Sequence, residues 1–342
     1  MGYNGPKTKM KKTLLVALAV LLAYTGFAQQ RLATLNHNDT IRTFYGQSAL
    51  SQAHAAAVNG DIIMLSSGLF DAIEITKAVT IRGSGMWPID SLNIENTVIS
   101  GNMTLNVPYD SLHNLEIEGM KFISYINFKQ ATNPVFRKCR MTSSWSKINN
   151  GTMNGAQFYH CVLNSYNGNG LTGTQFINSV ILSLSAPSTL MNCVAEVYYS
   201  STLNGMTVYN SIIYYESPCG SYTGDDYNSS SCYYSVGINK SSCGYNNRYF
   251  DVTNVINHHL INKYDYNQVF KYFNGTYSEG MSFELQDDIA TTILGDDSTQ
   301  VGIYGGQFPF DPVVHPVIGG CHVARRTNAD MKLEVSIDLI KE

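Results

Sequence analysis

The side chains able to do chemistry in this sequence are scattered rather than grouped. Asp225-Asp226, Asp287-Asp288 and Asp296-Asp297 are adjacent acidic pairs, and each offers the carboxylate oxygens that Ca²⁺ prefers. None is followed by the alternating acids of a cation-binding loop, so a turn or surface role fits them better and no metal site is assigned. Arg137, Lys138 and Arg140 form a cationic cluster with Lys147 close behind, read either as a base site or as a solvated face. Arg137, Lys147, Asp225 and Asp226 are the candidates for catalysis. His258-His259 is an isolated pair whose rings would point to opposite faces of a strand, and it suggests no mechanism.

Tyrosine is the conspicuous excess, with 23 in the chain. Tyr198, Tyr199, Tyr214, Tyr215, Tyr222 and Tyr227 crowd into one stretch, together with Tyr209, Tyr233 and Tyr234. In an adjacent pair on a strand one ring faces out when the other faces in, so part of this set is expected at the surface. Exposed tyrosines among hydroxyl and amide neighbours can stack on sugar rings; the alternative is that they pack outer loops against the wall of the fold.

The elements that position these residues are short repeats. FRKCRM at 136–141, FYHCVL at 158–163, FINSVI at 176–181, LMNCVA at 190–195 and VYNSII at 208–213 share one pattern, at offsets of 22, 18, 14 and 18 residues. A unit that short cannot enclose a core, so it must bury its apolar face against the copies above and below, as a solenoid does. Cys139, Cys161 and Cys193 occupy the slot that Ser179 and Ser211 fill elsewhere, so the slot takes a small inward residue and free thiols fit it better than disulfides. Cys219, Cys232 and Cys243 lie in a Gly/Ser/Tyr-rich stretch that has room for one disulfide, whose pairing spacing does not reveal. No Cys/His spacing of a zinc site occurs.

Ahead of the slot stand His160, Asn178, Asn192 and Asn210. They read either as an amide ladder, stacked about 4.8 Å apart, or as separate turn residues. Earlier in the chain, inward positions are expected at Val98 and Ser100, at Leu115 and Ile117, and at Met120 and Phe122. Residues 217–247 look like an enlarged loop with irregular rungs.

Residues 1–28 read as a secretory signal: four lysines, an apolar run from Leu14 to Ala23 and a small residue before Gln29. The run is shorter than a membrane span needs, and no Cys marks a lipoprotein site. An N-terminal anchor is the alternative. Removing the segment leaves 18 basic against 26 acidic residues, a net charge of −8 instead of −4. An acidic chain with no basic grouping beyond Arg137 to Lys147 is a poor nucleic-acid partner, and export to the periplasm, outer surface or medium is expected.

After a polar lead-in at 29–47 comes an Ala-rich helix at 48–58, stopped by Asn59-Gly60, then Gly60-Asp61, a strand at 62–65, Gly68-Leu69-Phe70 and a strand ending at Gly83. This order resembles the N-terminal cap and first rungs of right-handed parallel β-helix proteins of the pectin-lyase-like superfamily. An open end of such a solenoid needs covering, and a helix of small residues can lie across it. The acidic Gly-rich turn and aliphatic-Gly-aliphatic-aromatic-Gly run at 294–306 resemble the closing motif of bacterial β-helix domains, so the solenoid is expected to span 48–310. Pro309, Pro312 and Pro316 break any regular continuation, and 332–340 alternates as a half-exposed strand within a tail at 311–342. Asp39-Thr-Ile, Asp90-Ser-Leu and Asp110-Ser-Leu resemble the O-glycosylation acceptor of Bacteroidetes.

The expected fold is therefore all-β, a right-handed parallel β-helix with a capping helix. The resemblance implies a family containing polysaccharide lyases and hydrolases. Lyases need carboxylates holding Ca²⁺ and a basic residue, and hydrolases need paired carboxylates; the repeat copies carry no Asp. The expected function is non-catalytic: a monomeric, exported protein presenting a Tyr/Asn-rich face to a polysaccharide or cell-surface glycan. A lyase or glycoside hydrolase with a loop-built site, and a structural spacer or adhesin, are the alternatives.

Overall fold

Each repeat copy folds as the same corner between two strands. A strand ends, one residue takes a left-handed backbone conformation, the small residue comes next, and another strand begins. The left-handed residues are Lys138 (φ 48°), His160 (53°), Asn178 (45°), Asn192 (52°) and Asn210 (48°), and Gly119 (67°) makes the preceding corner with Met120 in the slot. Among residues with a side chain, Asn tolerates this region best, which accounts for its recurrence. Of the two roles open to these residues, turn formation is the one the backbone adopts.

The small slot does more than save space. Its side chain points inward and donates to the carbonyl two residues earlier: Cys139 Sγ to Arg137 at 3.2 Å, Cys161 to Tyr159 at 3.3 Å, Ser179 Oγ to Ile177 at 2.9 Å, Cys193 to Met191 at 3.2 Å and Ser211 to Tyr209 at 2.6 Å. Cys and Ser exchange because both are small and both carry one donor.

The computed structural model describes residues 31–88, 95–142, 152–166, 171–197, 206–215, 230–233, 236–239, 252–256, 259–262, 266–274, 277–278, 280–310, 317–323 and 335–340. Successive turns of the chain stack into a 12-stranded, a 10-stranded and a 5-stranded sheet. In the first sheet, parallel strands run from Ile62–Leu65 through Glu116–Glu118, Val135–Arg137, Gln157–Tyr159, Gln175–Ile177, Thr189–Met191 and Thr207–Tyr209 to Val252–Ile256. This is a solenoid-like β fold without a closed barrel.

Its interior is a ladder of like side chains. Phe136 stacks on Phe158 at 4.9 Å and Phe158 on Phe176 at 4.8 Å, with Tyr166 edge-on to both of the last two and its hydroxyl 2.8 Å from Thr174 Oγ1. Leu115, Ile117, Met120 and Phe122 are buried as expected. On the strand at Thr97–Ser100 the alternation is the reverse of the expectation: Thr97 and Ile99 face in, Val98 and Ser100 out. Thr97 can be inside because its hydroxyl donates to Ser66 O at 2.9 Å and accepts from Ser84 N at 2.8 Å.

The lead-in is structured. β1 (Leu32–His37) and β2 (Thr40–Tyr45) form a hairpin across Asn38-Asp39, and β1 pairs antiparallel with β3 (Ile62–Leu65) at the end of the first sheet. Asn38 and Asp39 have φ of 46° and 61°, the paired positive values of a tight hairpin turn. α1 (Ala49–Ala56) lies against this end, burying Ala49, Leu50 and Ala53. It ends where Lys77 Nζ donates to the carbonyls of His54, Ala55 and Ala57 at 2.7, 3.0 and 2.7 Å, a cation on the negative end of the helix.

The segment expected to close the solenoid at its end lies instead along its side. Among the described residues the last strands of the parallel sheets are Val252–Ile256 and His259–Asn262, and the described residues between 266 and 310 then cover the outer face of the second sheet. There Val162, Val180, Val194 and Ile212 point out of the sheet and meet Val269, Phe270, Phe273, Phe283, Leu285, Val301 and Ile303 in a second core. Gly302 passes the sheet so closely that a Cβ would stand 3.0 Å from Ile212 Cδ1. Beyond the proline-rich turn, Val335–Ile340 is the expected strand, and it pairs antiparallel with Val317–Val323. Among the described residues no helix is long and apolar enough to cross a membrane.

Candidate functional site

Among the described residues the outer face of the first sheet offers a regular array of polar groups. The middle residue of each three-residue strand is buried, so its flanking residues project outward. One outward row runs Glu116, Val135, Gln157, Gln175, Thr189, Thr207; the other runs Glu118, Arg137, Tyr159, Ile177, Met191, Tyr209, each residue directly beside the next. Neighbours in such a row are about 4.8 Å apart.

The two halves of this face differ in charge. At the N-terminal half the charges neutralise one another: Arg82 Nε lies 3.2 Å from Glu118 Oε2, and Arg137 Nε 2.6 Å from Glu116 Oε1. The Arg137 guanidinium also sits 4.4 Å from the centroid of the Tyr159 ring. From Gln157 to Tyr209 the rows carry no formal charge. Tyr159 donates its hydroxyl to Gln157 Oε1 at 2.8 Å, and the Gln amides and Thr hydroxyls alternate with Ile177, Met191 and Tyr209 beside them. Such a surface can exchange hydrogen bonds with hydroxyl groups and cover apolar ring faces, but it holds no acid and base set against each other.

The structure redistributes the residues singled out by sequence. Arg137, a candidate base, is committed to Glu116 and Tyr159. The cationic cluster does not exist as one patch: Lys138 is a left-handed turn residue, and Arg140 lies on the second sheet, buried beneath residues 266–310 with its guanidinium 5.7 Å from the Tyr277 ring. Tyr214, a candidate sugar platform, is buried between Tyr266 at 4.9 Å and Phe270 and Phe273 at 5.9 Å, and burial pushes its phenol well up. It does face out of its sheet, but outward there leads into the second core. Tyr215 ends the strand Ile212–Tyr215. Tyr198, Tyr199, Tyr222, Tyr227, Lys147, Asp225, Asp226, Cys219 and Cys243 lie outside the described residues.

The remaining acidic pairs are structural. Asp297 Oδ1 accepts from Thr299 N at 2.9 Å and Thr299 Oγ1 at 2.7 Å, while Asp296 Oδ1 accepts from Asn210 Nδ2 at 2.7 Å. Asp287 and Asp288 open the short α2 (Asp287–Thr292), where Lys271 bridges Asp287 and Glu284 at 2.8 and 2.6 Å. Among the described residues no three His, Cys, Asp or Glu side chains converge as metal ligands. The buried Cys139, Cys161 and Cys193 are free thiols; burial raises Cys139 well above its ordinary value and Cys193 to about 12.

Gln157, Tyr159, Gln175, Thr189 and Thr207 were not singled out by sequence, although Gln157, Gln175, Thr189 and Thr207 each stand three residues before a corner residue and Tyr159 one residue before its own. Those offsets were the signal. Comparison of the chain with protein-family models, curated proteins and solved structures finds no match.

Proposed function

We propose that this chain is an exported right-handed parallel β-helix protein of the pectin-lyase-like kind, which binds a polysaccharide or cell-surface glycan on the outer face of its first sheet without transforming it. The observation that carries this reading is the in-register pair of uncharged rows from Gln157 to Thr207 and from Tyr159 to Tyr209. A linear chain of sugars presents hydroxyls and apolar ring faces at regular intervals, and these rows present amides, hydroxyls and apolar side chains at regular intervals in return. Absence of charge on these rungs favours a neutral glycan over a uronate polymer.

Acidic groups on the same sheet do not favour catalysis. Glu116 and Glu118 are each engaged by an arginine, whereas glycoside hydrolysis needs one carboxyl held protonated and the other free. The helix α1 and the hairpin β1–β2 act in this reading as the cap that covers the N-terminal end. Screening the purified protein on an array of neutral and acidic glycans, with product analysis of any ligand found, tests the proposal. Binding to neutral polysaccharides without cleavage is expected; release of shortened or unsaturated products would make the protein an enzyme instead.

A further inference from the structure

The first sheet ends in an open edge. β2 is its outermost strand, and among the described residues nothing pairs with its free side. Ile41 is 68% and Tyr45 59% exposed, and Met64 on β3 adds 48% exposure on the same outer face. Natural edges are usually blunted by charged side chains, proline or a bulge, and Thr-Ile-Arg-Thr-Phe-Tyr contains only the single charge of Arg42. We propose that β2 pairs antiparallel with β2 of a second copy of this chain, about a two-fold axis midway between the two copies of Thr43, joining two first sheets into one.

The hairpin sets the register. Its two-residue turn makes His37 and Thr40 the closing hydrogen-bonded pair, and the Gly46 N bond to Arg31 O at 2.9 Å continues the same parity. The N–H and C=O groups of Thr40, Arg42 and Phe44 therefore point to β1, and those of Ile41, Thr43 and Tyr45 point to the open side. The same strand alternates in its faces: Ile41, Thr43 and Tyr45 lie on the outer face, Arg42 and Phe44 on the inner one.

A two-fold axis perpendicular to the sheet must pair outer with outer and inner with inner, which leaves two registers of five pairs. Centred on Arg42, the pairing sets the two Arg42 side chains against each other and forms about four hydrogen bonds, because Arg42 itself presents no backbone group to the open side. Centred on Thr43, it forms about six. It also places Ile41 beside the partner's Tyr45, Thr43 beside the partner's Thr43, and Arg42 beside the partner's Phe44. Arg42 already lies 5.4 Å from its own Phe44 ring, so the cation–aromatic contact is retained whichever ring it covers. Apolar–aromatic and Thr–Thr cross-strand pairs are the favourable kinds, and like charges are kept apart only in this register. The monomer expected from sequence gives way to a two-fold pair. A contact confined to two edge strands is expected to fall below the standard interface of about 1,600 Å², and dissociation in the micromolar range is expected.

Sedimentation velocity across a concentration series tests this with three surface variants, Ile41→Lys, Tyr45→Glu and the two combined, each checked for unchanged thermal unfolding. Each single variant is expected to weaken the dimer at least about tenfold. The combined variant is expected to restore it, because the Thr43-centred register sets the lysine introduced in one copy beside the glutamate introduced in the other. A wild-type protein that stays monomeric at several hundred micromolar, a dimer indifferent to both single variants, or no recovery in the combined variant would each overturn the proposal.

Discussion

Asn178 donates its side-chain amide to the main-chain oxygen of Ile303 at 3.0 Å, tying a corner of the solenoid to a segment 125 residues further along the chain. The same Nδ2 reaches Gly305 O at 2.8 Å, while the Asn210 side chain donates to Asp296 Oδ1 and accepts from Asp296 N, and the Asn210 main-chain oxygen accepts from Gly302 N. Corner asparagines therefore serve twice, as left-handed residues and as anchors for the lateral segment.

Replacing Asn178 by Gly keeps the left-handed backbone and removes only the anchor, whereas Asn192, whose Nδ2 has no hydrogen-bond partner, loses no such bond. Asn178→Gly is expected to cost about 1–2 kcal/mol more than Asn192→Gly in denaturant unfolding. It should also speed proteolysis within 294–306. Equal costs would mean that the amide does not hold the segment.

The slot residue in the five repeat copies needs a donor as well as a small volume. Cys193→Ser is expected to unfold within about 0.5 kcal/mol of the wild type, and Cys193→Ala to lose about 1 kcal/mol as the Met191 carbonyl keeps the Asn178 N–H but loses its second donor. With its thiol pushed up to about 12 by burial, Cys193 should resist thiol reagents until the protein unfolds. Rapid labelling in the native state would contradict the packing.

The stacked rings of Phe136, Phe158 and Phe176 fill the interior where no other element can collapse inward. Phe158→Ala should lower unfolding free energy by about 3–5 kcal/mol, whereas Phe158→Leu should cost much less. Calorimetry or urea titration reads both.

His54 of α1 is buried, accepts from Thr76 N at 3.2 Å and faces Lys77; burial first and then that cation lower its pKa from 6.5 to about 4. The unfolded chain therefore takes up the proton first. The stability contributed by neutral His54 is complete above about pH 6.5 and is lost as pH falls towards 4, on the order of 2–3 kcal/mol. His54→Gln, which can still accept from Thr76, should flatten the stability profile between these values. An unchanged slope would assign the pH dependence elsewhere.

Legibility in the sequence tracked how local each feature was. Corners, slot residues, α1 and the strand at Val335–Ile340 depend on neighbours in the chain or on the rungs beside them, and their periods were readable. The hairpin β1–β2 was read as a polar lead-in because its outward positions Thr34, Asn36 and Thr43 hide the alternation, although Asn38-Asp39 signalled the turn. Thr97 was misplaced because its hydroxyl finds partners only once Ser66 and Ser84 stand beside it. The lateral cover was invisible: Tyr214 does face out of its sheet, but only the contact with Tyr266 and Phe273 shows that outward is dry. Attention to tyrosine also drew the candidate face away from Gln175 and Thr189, which lie on the regular rungs.

Titration calorimetry against the best neutral polysaccharide from the array tests the central claim most directly, with Gln175→Ala, Tyr209→Ala and the distant, 61% exposed Tyr272→Ala compared with the wild type. The account predicts that each of the first two weakens binding about fivefold or more while Tyr272→Ala leaves it unchanged. Undiminished affinity in both Gln175→Ala and Tyr209→Ala would remove the outer face of the first sheet as the binding site.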